Sequence, residues 1–151
     1  MDDLTDQKLL TRTFHLAKLA KNRGNGPFGA ILAEGKVVLF EGENTVTEGK
    51  GDPTCHAEMN VLREANKLYD KPDFSRFTLY CSTEPCPMCA GAAYYCGVGR
   101  IVYGLDGEEY SRRKGSGLCV GCREILTHAP DRVVEVTGPL LEVDALRVHG
   151  W

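Results

Sequence analysis

Two short stretches carry side chains able to do chemistry. In Thr54-Cys55-His56-Ala57-Glu58 an imidazole and a carboxylate stand two residues apart. In Ser82-Thr83-Glu84-Pro85-Cys86-Pro87-Met88-Cys89 two thiols stand three apart behind a proline. One nitrogen and two sulfurs make three ligands for a divalent zinc. A structural zinc takes four protein ligands, whereas a catalytic one keeps a position open for water. Two thiolates balance the ion's charge, and bound water then ionises near neutral pH, down from a pKa of about 15.7. Glu58 lies too near His56 along the chain to share that ion comfortably. It is better placed to carry a proton beside the water.

Elsewhere each motif has a plain reading. A lone C-x-x-C is often a redox pair or part of a structural zinc site, and a lone H-x-E is noise. Their joint occurrence in this order matches the H-x-E…P-C-x-x-C signature of zinc deaminases.

The elements that must position these groups are read from periodicity. Apolar residues at 9, 10, 14, 16, 17, 19 and 20 predict a helix over 6–21, with Gly24 as its stop. Residues 28–33 and 36–42 read as strands joined by a tight hairpin at Glu34-Gly35. Asp52-Pro53 predicts the start of a helix with apolar positions 57, 61, 62, 65 and 68. Strands come next at 76–82, 100–104 and 132–136, and Pro87 opens a helix with Cys86 as its cap. Residues 106–117 read as a polar, glycine-rich loop bordering the pocket, 121–128 as a short helix, and 138–151 as unassigned. The order predicts a three-layer α/β/α sandwich on a five-stranded mixed sheet. Both motifs then begin neighbouring helices at one sheet edge, where free N–H groups and partial positive charge favour thiolate.

Composition narrows the function classes. With 151 residues, 42% hydrophobic and 26% charged, the chain predicts one soluble domain spanning 1–151. No apolar run is long enough to cross a bilayer, and the acidic start MDDLTDQKLL is unlike a secretory signal, so a cytoplasmic location is expected. A net charge of −3 argues against a large polyanionic partner; the one compact basic run is Arg112-Arg113-Lys114. Seven cysteines without an export signal are expected to be reduced. Cys81 and Cys96 read as packing residues.

The zinc motifs, with NGPFGAIL (25–32), Asn44, DPTCHAE (52–58), STEPCPMCAGA (82–92) and RIVYG (100–104), resemble the cytidine deaminase-like superfamily over roughly 7–105. They are most similar to guanine deaminases and tRNA adenosine deaminases. The resemblance implies one Zn2+ per subunit, with His56, Cys86 and Cys89 as ligands and Glu58 as the proton shuttle. It implies that Asn44 hydrogen-bonds the substrate and that Ala57 and Cys86 supply backbone groups near the reacting atom. Phe28 would stack on or wall in a flat base, or else pack in the core; Asn44 also has a reading as a turn residue. The resemblance implies homodimers whose C-terminal tail covers a site, often the neighbour's. Trp151 would take that place, or be an ordinary apolar terminus.

The expected reaction replaces an exocyclic amino group of a free guanine-, cytosine- or triazine-like ring with a carbonyl. Adenosine in tRNA is the competing substrate. A zinc-stapled binding module without catalysis is the reading from another class, and a fourth protein ligand such as Cys55 would favour it. Cys55 departs from the alanine common in the family. The pair Cys119 and Cys122 is foreign to both subfamilies, and a second metal site, a redox pair or no role are its readings.

Overall fold

The computed structural model describes residues 3–151. Its centre is a five-stranded sheet in the order β2-β1-β3-β4-β5. The strands are β1 (Gly29–Glu34), β2 (Val37–Glu43), β3 (Thr78–Thr83), β4 (Arg100–Leu105) and β5 (Glu135–Thr137). β1 runs antiparallel to β2 and β3, while β3, β4 and β5 are parallel, so the sheet is mixed as expected. No helix of the described residues is long and apolar enough to cross a membrane.

The central strands are buried on both faces, and their alternation sorts the core into layers. Ala30, Leu32, Leu79, Cys81, Ile101 and Tyr103 face α2 (Ala57–Ala65) and α4 (Pro87–Cys96). Ile31, Ala33, Tyr80 and Val102 face α1 (Asp3–Asn22). A second patch of α1, Leu10, Phe14 and Ala17, packs on Ala145 and Val148 of α7 (Glu142–Val148), an element without an assignment from sequence.

Two close approaches fix this arrangement. Gly29 sits so near α1 that an added Cβ would overlap the Thr13 carbonyl oxygen, and its N–H donates to Ser82 Oγ at 3.0 Å. Asp6, buried in α1, accepts from both Arg100 nitrogens at 2.8 and 2.6 Å and from Tyr80 Oη at 2.8 Å. Burial raises the Asp6 carboxyl, but the bonds from Arg100 and Tyr80 outweigh it and hold the group below the usual range.

Four expectations needed correction. Asp52 does not open a helix: its Oδ1 accepts from Thr54 N–H and Oγ1 at 2.9 and 2.7 Å. That local turn competes with helical pairing, and α2 begins only at Ala57. Residues 106–117 are mostly not loop but α5 (Gly107–Lys114), capped by Asp106, whose carboxylate accepts from Glu109 N–H. The third strand starts at Thr78, after the short α3 (Lys71–Phe74) and a turn in which Phe77 N–H donates to Phe74. The fifth is confined to 135–137, since Arg132 is drawn away to the carbonyls of Val98 and Tyr94. The short helix expected at 121–128 is α6 (Cys122–Thr127).

Candidate active site

α2 and α4 both begin at the end of the sheet where β1 and β3 meet their loops. His56 is the N-cap of α2 in extended conformation, φ −65° and ψ 153°. Cys86 is the N-cap of α4 in a matching extended conformation, with Pro87 at the first helical position. Extended caps turn both side chains away from their own helices and toward each other.

His56 Nδ1 lies 3.6 Å from Cys86 Sγ and 3.5 Å from Cys89 Sγ. All three ligand atoms lie within 4.8 Å of one another, the one such cluster among the described residues. Zinc bonds of about 2.1 Å to nitrogen and 2.3 Å to sulfur at a tetrahedral angle would put nitrogen and sulfur about 3.6 Å apart. The residues present therefore fit the ion. Cys55 stands outside the cluster, and so do Cys119 and Cys122.

Charge in the cluster is already uneven. Hydrogen bonding from Cys89, then the His56 imidazole, holds the Cys86 thiol down at about 4. The same bond and burial push Cys89 up. Glu58, at the second position of α2, is 5% exposed, and burial pushes its carboxyl up to about 7 against the pull of Cys89 and His56.

A cavity of about 580 Å³ opens onto this cluster. His56, Glu58 and Cys86 form its floor, Phe28 and Tyr110 stand among its walls, and Asp106, Glu108 and Glu124 bring carboxylates to it. The aromatic wall is a cluster: the Phe28 ring meets Tyr110 and His149 edge-on, each at 5.5 Å.

The profile of the cytidine and deoxycytidylate deaminase zinc-binding region matches residues 4–105. The chain belongs to this family of zinc-dependent deaminases. It is 34% identical over 150 residues to a probable cytosine deaminase of Schizosaccharomyces pombe, covering 95% of the chain and 90% of that relative. Guanine deaminase of Bacillus subtilis is 36% identical over 104 residues, 68% of the chain and 66% of the relative. A solved guanine deaminase from Nitrosomonas europaea superposes with a TM-score of 0.79 at 25% identity, covering 92% of this chain and 79% of that one. tRNA-specific adenosine deaminases are relatives as well.

Of the other residues singled out in the sequence, Phe28 lines the deaminase pocket. Asn44, Ala57 and Trp151 lie outside its lining. Asn44 is buried at the end of β2; its Oδ1 accepts from Val46 N–H at 3.0 Å and its N–H donates to the Phe28 carbonyl at 3.0 Å. Ala57 is fully buried as the first residue of α2. Trp151 stacks on His149 at 5.0 Å, with Arg113 over its ring. Of the two cysteines read as packing, Cys81 is buried, whereas Cys96 is half-buried and its sulfur accepts from Asn66 Nδ2 at 2.9 Å.

Sequence reasoning missed Tyr110 and Glu84 as pocket residues. Tyr110 was hidden by the loop reading of 106–117. The signal against that reading was present: Asp106 with Glu109 three residues later, and Gly115 as the stop.

Proposed function

We propose that the protein deaminates a free nucleobase or related flat heterocycle, guanine-, cytosine- or triazine-like, giving a carbonyl and ammonia. One observation carries this reading: two members of a three-ligand cluster, His56 and Cys86, share the floor of a pocket walled by aromatic rings with the buried Glu58 carboxylate, and Cys89 lies behind them. A donor set of three among the described residues supports a catalytic metal over a purely structural one.

His56, Cys86 and Cys89 would hold the zinc. When bound, zinc supplies the positive charge that makes water a nucleophile near neutral pH. Glu58 takes a proton from the attacking water and passes it to a ring nitrogen of the base. It then delivers the second proton to the exocyclic nitrogen, so a C–O bond forms, the C–N bond breaks and ammonia leaves. Phe28 walls the ring by edge or face contact. From the family resemblance we read the Asn44 side chain and the backbone groups of Ala57 and Cys86 as base contacts, and Trp151 as a cover of the site, stacked on the aromatic wall at His149.

Charge favours the small substrate over tRNA. Arg112 and Arg113 both bind Glu109, each at 2.6 Å, so two of the three charges in the basic run are internally paired. Phosphate binding needs uncommitted lysines and arginines. We read the protein as one deaminase domain over 1–151, cytoplasmic and homodimeric; the family resemblance supports the dimer.

An ammonia-release screen over free bases, nucleosides and tRNA, with metal content measured on the same sample, tests the proposal. Release from a free base with about one zinc per chain is expected. Release from tRNA alone would replace this reading with the RNA enzyme, and release from none would return the zinc-stapled module.

A further inference from the structure

One carboxylate ties the metal-ligand turn to the opposite wall of the pocket. Glu84 precedes Pro85-Cys86 in the turn from β3 to α4, and its own N–H donates to the Leu105 carbonyl at 2.7 Å. Its Oε1 accepts from Gly107 N–H at 2.9 Å and its Oε2 from Cys122 N–H at 2.7 Å. Gly107 and Cys122 are the first residues of α5 and α6, whose N–H groups find no partner inside their own helices. The span between these anchors lines the pocket with exposed residues 116–121. Among the described residues, no backbone hydrogen bond ties 116–120 to the rest of the fold. The position of that wall therefore depends on its two ends; Tyr110 and Arg123 hold each end separately, and Glu84 is the side chain that joins the two.

We propose that Glu84 is the positioning residue of the pocket's far wall, holding the starts of α5 and α6 in register with the Cys86 turn and so setting the width available to the base. The consequence for substrate rests on the deaminase reading above; the anchoring itself does not. Two charge-assisted bonds to one carboxylate are stronger than two neutral ones, and a glutamine cannot replace both. Its oxygen serves one N–H while its amide nitrogen opposes the other.

The test is amide hydrogen exchange on Glu84→Gln, with zinc content measured on the same protein and no substrate present. Exchange at the Gly107 and Cys122 amides and through the hydrogen-bonded amides of α5 should quicken by about tenfold while zinc content stays at the wild-type level. With a turned-over base in hand, KM should rise by about tenfold and kcat by contrast change less than about threefold. Gly107→Pro removes one donor from the other side, at a helical position that accepts proline. It should quicken exchange through 108–114 and leave the Cys122 amide protected, which keeps the proposal testable if Glu84→Gln does not fold. Unchanged exchange at Gly107, Cys122 and α5 overturns the proposal. Loss of zinc from Glu84→Gln also overturns it, making Glu84 a support of the ligands. If no base is deaminated, the function reading fails and the exchange result still decides this one.

Discussion

Cys89 Sγ stands 3.5 Å from His56 Nδ1, although the two side chains belong to the starts of different helices. A cation there would join α2 to α4 directly, and ligand binding to the folded state alone adds stability by mass action. Chelator-treated protein should therefore melt below the zinc-loaded form, and Cys89→Ser should lose most of the bound zinc and most of that difference. Calorimetry beside metal analysis checks this; equal melting temperatures with and without zinc would contradict it.

Glu58 lies beside the ligands without being one of the three. Glu58→Gln keeps the side chain's size and should keep its zinc, yet it cannot shuttle a proton. Turnover should fall by about 10²- to 10⁴-fold with little change in KM. Ammonia release at the wild-type rate from a zinc-loaded variant would show that the proton moves by another route.

The metal cluster was legible in the sequence because its residue types are rare together and its proline marks the helix start. The sheet was legible because β1, β3 and β4 each hold a short apolar run, at 30–33, 79–81 and 101–103. Local side-chain competition was harder to read. The Asp52 side chain captures the Thr54 N–H and delays α2 to Ala57, whereas the Asp106 side chain captures the Glu109 N–H and starts α5. The same chemistry ends in a turn once and in a helix once, and the residues downstream decide between them. After Asp106, residues 107–114 carry acidic groups in the first turn and basic ones in the last. The tail was unreadable for another reason: α7 owes its place to Ala145 and Val148 packing on Leu10 and Phe14, a contact across nearly the whole chain.

Asp6 anchors α1 to the sheet through Arg100 and Tyr80. Its pKa is lower folded than the ordinary value of about 3.9. The unfolded chain therefore takes up a proton first as pH falls. The stabilisation is complete above about pH 4 and is lost as pH drops through the folded value. Asp6→Asn leaves Arg100 without its carboxylate and should cost about 3 kcal/mol at neutral pH. Its acid-stability curve should also be flatter below about pH 4 than that of the wild type. Urea titrations at a series of pH values measure both.

His149 fastens the tail beside the pocket, its Nε2 3.2 Å from Thr83 Oγ1 and its ring packed on Phe28, Tyr110 and Trp151. Burial, then the nearby positive charges of Lys21 and Lys114, hold the imidazole down to about 4. The neutral ring is the folded form, and the unfolded chain binds a proton near its ordinary value of about 6.5. Stability from this group is complete above about pH 6.5 and drains away as pH falls toward 4. Between pH 7 and pH 5 the wild type should lose about 1 kcal/mol here, allowing for the ring's partial exposure, or about 3 °C of melting temperature. His149→Phe keeps an aromatic surface against Trp151 and removes the titration. Its melting temperature should start lower at pH 7 for want of the Thr83 bond, and fall less on acidification. A fall matching that of the wild type would assign the pH dependence to other groups.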